Sequence, residues 1–166
     1  MNAEQGSRQE VSTLIASLLV GANAATSKSG SSALLRTPED RERFLALRNS
    51  SDISAILVGG ATALVEPYQR SPHPLYIYSR EVKAPLKMYV SDIRSEISGA
   101  LLCEGGVRVI HQLLHDDLID TFLLSRVEIH GDGHYLDESL LQKSLTLRSS
   151  ERVGSTTFER YERASR

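Results

Sequence analysis

The chain has 166 residues, with 19 lysines and arginines against 21 aspartates and glutamates, for a formal net charge of −2. That length suits one domain (1–166) with a substantial core, and the near-balance of charge gives no footing for a nucleic-acid or acidic-membrane partner. Cys103 is the single cysteine, which excludes an intrachain disulfide and suits a reducing, cytoplasmic setting.

Met1 to Glu10 is polar and expected to fray. Val11 to Val20 reads as a first buried strand. Its apolar run from Leu14, followed by Ala22-Asn23-Ala24, also resembles a signal-peptide core and cleavage site, and that remains the alternative. Glu4, Arg8 and Glu10 supply no basic leader, however, and the run is too short to span a bilayer. Gly21 to Ser32, rich in small and polar residues, reads as a flexible loop. Thr37-Pro38-Glu39-Asp40 is a helix start: a capping hydroxyl, a proline suited to the first position, and acids at the positive end of the dipole. The helix is expected to run to Asn49, with Phe44, Leu45 and Leu47 toward a sheet and Arg41, Glu42, Arg43 and Arg48 as a solvated face. Ile53 to Val58 is the next strand, ending at Gly59-Gly60, and Ala61 to Val65 a short helical turn stopped by Pro67.

Pro74 to Ser79 reads as a third strand and Leu86 to Val90 as a shorter fourth, with Asp92 to Ser98 a polar connector. The segment that organises the chain follows. Ala100 to Cys103 is an apolar strand, Glu104-Gly105-Gly106 a tight turn, Val107 to Leu114 a helix, and Ile119 to Val127 a second strand. This is a βαβ crossover whose helix N-terminus can hold an anion. Glu104 stands at the carboxyl end of its strand, where open α/β sheets bind ligands. Glu128 to Asp137, with Gly131 and Gly133, is a loop, and Leu140 to Leu147 and Thr156 to Tyr161 read as terminal strands of a hairpin. Strands alternating with helices indicate α/β with an antiparallel C-terminal edge.

Two stretches resemble one family. Leu35-Arg36-Thr37-Pro38-Glu39-Asp40-Arg41 and Ile56-Leu57-Val58-Gly59-Gly60-Ala61-Thr62-Ala63-Leu64-Val65-Glu66 are similar to its N-terminal half. Glu104-Gly105-Gly106, Leu118-Ile119-Asp120 and Gly131-Asp132-Gly133 are similar to its C-terminal half. The family is the riboflavin-biosynthesis pyrimidine reductases, the C-terminal domain of the bifunctional deaminase-reductase. The resemblance implies a dihydrofolate-reductase-like three-layer sandwich, with a mixed, mainly parallel sheet and helices on both faces. It implies an NADPH-dependent reduction of a phosphoribosylaminopyrimidine, 5-amino-6-(5-phosphoribosylamino)uracil or the related pyrimidinone, to the ribitylamino product. By position, Gly59, Gly60 and Thr62 match the cofactor turn, and Gly105, Gly106 and Val107 the pyrophosphate-contacting turn. Glu104 and Glu66 match acidic positions on the substrate side. The family commonly pairs into dimers, so a homodimer is expected, and no residue is assigned a catalytic proton transfer.

The chain departs from the family in two places. The Ser-Leu-Asp-Gly that ends the family's first strand is represented only by Ser17-Leu18-Leu19-Val20-Gly21 or Val20-Gly21-Ala22-Asn23, without the acid. The region between 80 and 104, which in the family flanks the adenosine end of the cofactor, is shortened. Both favour the alternative of an impaired homologue that serves as a binding or scaffold protein; reduction of a pterin-like substrate is a third reading. Each site residue also has a plainer role. Glu104 can pair with a nearby arginine, the glycine pairs can be ordinary turns, and Thr62 can cap a helix. His111 and His115 are spaced for a metal but have no third ligand, His130 and His134 flank the Gly-Asp-Gly loop, and Cys103 packs as a small hydrophobe, so no metal site is expected.

Overall fold

The computed structural model describes residues 12–65 and 71–164. Met1 to Glu10 and Glu66 lie outside the described residues. The strands are β1 (Leu14–Val20), β2 (Ala25–Ser27), β3 (Ile53–Gly59), β4 (Leu75–Tyr78), β5 (Ala100–Cys103), β6 (Thr121–Val127), β7 (Gly133–Tyr135), β8 (Thr146–Val153) and β9 (Thr156–Glu162). The helices are α1 (Pro38–Arg48), α2 (Gly60–Val65), α3 (Leu86–Glu96), α4 (Val107–His115) and α5 (Glu138–Ser144).

Seven strands form one sheet in the order β4-β3-β5-β1-β6-β9-β8. The first five are mutually parallel, and β9 and β8 continue the sheet antiparallel, so the expected antiparallel C-terminal edge is present. The central strands are apolar along both faces, as strands covered on both sides must be. Alternation then divides their side chains between two layers. Leu14, Ala16, Leu57, Leu101, Cys103, Phe122 and Leu124 pack with α3, α4 and α5. Ile53, Ile56, Val58, Ala100 and Leu102 pack beneath Leu47 of α1 and Ala63 of α2. The sheet is thus covered on both faces, as the three-layer expectation required. Each fully buried leucine, isoleucine or phenylalanine contributes about 1.5–3 kcal/mol by leaving water.

Several sequence expectations are corrected. Leu86 to Val90 is not a strand, nor Asp92 to Ser98 a connector; together they form α3. Leu86, Val90 and Ile93 are buried at positions i, i+4 and i+7, the period of one helical face. Leu140 to Leu147 is likewise divided. Asp137 accepts a hydrogen bond from Leu140 N at 3.1 Å and caps α5, Leu141 and Leu145 are buried one turn apart, and the strand begins at Thr146. The two segments read as loops hold β2 and β7, which pair antiparallel across the carboxyl ends of β1 and β6. Of the apolar residues expected to face the sheet from α1, Phe44 and Leu47 turn partly inward and Leu45 is 38% exposed. Arg48 does not belong to the solvated face.

Candidate ligand site at the carboxyl ends of β3 and β5

β3 and β5 are neighbours, so the two glycine turns that leave them meet. Gly59 N donates to Gly105 O at 2.9 Å, and Glu104 N donates to Leu57 O at 3.1 Å. A side-chain carbon at Gly59 would stand 3.2 Å from Val109 Cγ2 and 3.4 Å from Gly106 N; one at Gly106 would stand 3.1 Å from Thr62 Oγ1. Gly105 has φ +113°, a conformation that side chains disfavour. The peptide bond between Gly105 and Gly106 is cis. Gly59, Gly105, Gly106 and Thr62 therefore meet, although the sequence separates the two turns by more than forty residues, while Gly60 packs toward Ser79 and Val107 begins α4. Gly106 is the N-cap of α4 and no side chain caps that end, so the first-turn N–H groups of a nine-residue helix face the cluster. Bare backbone, a hydroxyl and a positive helix end are what an anionic dinucleotide needs.

Glu104 is buried, with no accessible side-chain surface, and Arg48 is 12% exposed. The guanidinium grips the carboxylate with two bonds, Nε to Oε1 at 3.1 Å and Nη2 to Oε2 at 2.8 Å. Its carbon lies 4.4 Å from the centre of the Phe44 ring one turn earlier on α1. Following the alternation of β5, Glu104 projects onto the face covered by α1, as Leu102 does, and Arg48 reaches it from above. This arginine escaped the sequence reading. The available signal was its place four residues after Phe44 and beside Leu47, on the edge of the helix that turns inward. Burial pushes the thiol of the neighbouring Cys103 up to about 12, so it offers no nucleophile to the site.

Other titratable groups lie outside the cluster. Asp40 of α1 borders a gap of about 20 Å³ between the helix and the sheet, near Ser17, Ser125 and Phe158. Burial raises its carboxyl above the ordinary value, opposed by a hydrogen bond from Ser125. His111 Nε2 accepts from Asp137 N at 2.9 Å and joins α4 to α5. Among the described residues no three His, Cys, Asp or Glu side chains converge as metal ligands. A surface groove of about 500 Å³ between the end of α4, α5 and Arg163 lies at the opposite, amino-terminal edge of the parallel strands. None of the described helices is long and apolar enough to cross a membrane.

No protein-family model matches the sequence, and no curated protein matches it. The fold has well-matched solved counterparts. One is the diaminohydroxyphosphoribosylaminopyrimidine deaminase/5-amino-6-(5-phosphoribosylamino)uracil reductase of Thermotoga maritima, with a TM-score of 0.72 and 15% identity. That superposition covers 92% of this chain and 57% of the larger protein. A second is a pyrimidine reductase-like protein of Corynebacterium diphtheriae, with a TM-score of 0.69, 15% identity and 93% of both chains covered. RibD of Acinetobacter baumannii matches with a TM-score of 0.67 and 13% identity over 93% of this chain and 58% of its own. The chain thus spans little more than half of the two deaminase-reductase-sized proteins and nearly all of the shorter one. At these identities the likeness is one of fold, and the dihydrofolate-reductase-like architecture that the resemblance implies is the one these structures share with this chain.

Proposed function

We propose that this chain is an NADPH-dependent oxidoreductase that reduces 5-amino-6-(5-phosphoribosylamino)uracil, or the related pyrimidinone, in riboflavin biosynthesis. The observation that carries the reading is the convergence of the Gly59-Gly60 and Gly105-Gly106 turns at the uncapped start of α4. The fit of a dinucleotide rests on the bare backbone of Gly105, where a side-chain carbon would meet nothing within 4 Å, beside the uncapped start of α4. When bound, NADPH supplies the hydride. The chain's own work is to bind and orient. The α4 N-terminus and the backbone of Gly105 to Val107 receive the diphosphate, and Gly59 and Gly60 allow close approach to the end of β3. Thr62 offers its hydroxyl beside Gly106. Glu104 enters as one half of an ion pair with Arg48, and the resemblance puts it, like Glu66, on the substrate side. Catalysis in this reading comes from positioning rather than from a strong general acid.

A second reading is favoured by one observation: β1 ends at Leu19-Val20-Gly21 with no carboxylate. An impaired homologue that binds without turning over would have that strand end.

NADPH titration by nicotinamide fluorescence, followed by the pyrimidine substrate, tests both. The control is Gly106→Asp. An aspartate is favoured at a helix N-cap, and Gly106 has the extended backbone such a cap requires (φ −72°, ψ 178°), so this variant should fold. Its carboxylate would occupy the anion position. Saturable binding by the wild type, at least tenfold weaker in Gly106→Asp, with substrate-dependent NADPH oxidation, supports the reductase. Binding without oxidation supports the impaired homologue. No binding at millimolar NADPH refutes the reductase reading and leaves the impaired homologue, as a reductase fold serving as a scaffold.

A further inference from the structure

We infer that Arg48 is a positioning residue of the ligand site, whose grip on Glu104 keeps an uncompensated negative charge away from the turn that receives an anionic dinucleotide. The inference rests on the proposed use of that turn and adds a residue that neither the turn nor the resemblance assigns.

The geometry is specific. Glu104 immediately precedes Gly105, and its backbone N–H is tied to Leu57 O, so its carboxylate cannot leave the neighbourhood of the turn without breaking the β3–β5 pairing. It has no accessible surface to share with water. A buried carboxylate beside an anion site works against that site, because repulsion is weakly screened away from solvent. One such charge within roughly 10 Å of a phosphate lowers affinity on the order of tenfold. A bidentate guanidinium removes the liability and fixes the carboxylate's orientation. Arg48 is itself held in line by the Phe44 ring. Among the described residues Arg48 is the cation bonded to Glu104, and Arg108 on the first turn of α4 is exposed. β1, β3 and α2 carry no ionisable side chain in their described residues; on β5 the neighbour is the Cys103 thiol; on α1, Asp40 and Arg43 face the gap over β6 and β9.

The test measures NADPH affinity between pH 6 and 9 for wild type, Arg48→Gln, Glu104→Gln and the double variant. Each is expressed as a ratio to wild type at the same pH, which cancels titration of the nucleotide. Arg48→Gln should bind about tenfold more weakly at pH 8. The double variant should return to within about threefold of wild type at every pH, since no unpaired charge remains. If Arg48→Gln does not fold, the double variant decides, and near-wild-type affinity supports the inference. A tenfold loss persisting in the double variant overturns it, because the guanidinium would then be touching the ligand itself. Undiminished binding by a folded Arg48→Gln overturns it as well. Failure of the wild type to bind is a different result: it removes the proposed function, and the inference with it.

Discussion

The Arg48–Glu104 pair also makes a stability prediction that needs no ligand. Arg48→Met keeps a flexible apolar stem near Phe44 but leaves the Glu104 carboxylate, with no accessible side-chain surface, without its cation. Breaking one side of a buried pair costs about 3–5 kcal/mol, a large part of the ~5–15 kcal/mol that holds a domain together. For a chain of this size that corresponds to a fall in Tm of roughly 6–20 °C. Replacing both partners, as Arg48→Met with Glu104→Met, removes the uncompensated charge and should leave stability within about 2 kcal/mol of wild type. Urea unfolding of wild type, the two single variants and the double variant gives the coupling energy directly. An Arg48→Met variant that loses less than about 1 kcal/mol, or a double variant no better than the worse single, would refute the claim that the pair acts as a buried unit.

Three further outcomes are expected elsewhere in the chain. Cys103, buried with its thiol pushed up to about 12, should resist iodoacetamide at pH 8 in the folded protein and react only at the rate of unfolding; labelling within minutes in native buffer would contradict its burial. Tyr161 is pushed up to about 12, chiefly by burial and then by its hydrogen bond to Glu159 at 2.9 Å. Because the folded value exceeds the unfolded value near 10, the folded state holds this proton more tightly. The resulting stability is complete below about pH 10 and is lost as pH rises through 12. Tyr161→Phe should therefore show a flatter stability profile between pH 10 and 12, as measured by urea midpoints. Asp40 is also raised, mainly by burial, so its contribution is present below its unfolded value of 3.8 and lost as pH rises through the folded value. Asp40→Asn should be at least as stable as wild type at pH 7, with the difference gone near pH 3. A lower Tm for the variant at pH 7 would mean that the Ser125 hydrogen bond outweighs burial.

The parts of the fold legible in the sequence are those written in local chemistry. Thr37-Pro38-Glu39-Asp40 announced α1, and Thr37 Oγ1 accepts from Asp40 N at 3.2 Å. The strand–Glu-Gly-Gly–helix unit was read to within a residue or two at each boundary. α3 was lost because Leu86 to Val90 alone contains leucine, methionine, tyrosine and valine, which suit a strand equally well. Only the inclusion of Ile93 exposes the helical period. α5 is hidden because the leucines of 140–147 belong to two elements, and the signal that separates them is the Asp137 cap at the start of the helix. β2 and β7 are three residues each and exist through pairing across about a hundred residues of sequence, which no local pattern records. The glycine turns were readable one at a time. Their meeting, with Thr62 against Gly106, follows from the adjacency of β3 and β5 and is visible only in the folded sheet.

The same distinction explains why Glu104 was found and Arg48 was not. An acid at a strand end is a local signal, whereas its partner stands 56 positions away on a helix that buries no residue completely. α1 is fastened to the sheet by polar and stacking contacts as much as by its partly buried Phe44 and Leu47. At its start the Thr37 and Thr156 hydroxyls meet at 2.5 Å, midway the Arg43 guanidinium lies 4.3 Å from the Phe158 ring, and at its end Arg48 holds Glu104. A helix anchored in this way transmits changes at its charged residues more directly than changes at its exposed leucine. Arg48 should therefore matter to the glycine turn that follows Glu104, while Leu45, expected toward the sheet and 38% exposed in the fold, should matter less. The contrast follows from where free energy is stored. Leu45, 38% exposed, has only part of a leucine's transfer energy to lose, whereas the buried carboxylate would lose the cation bonded to it.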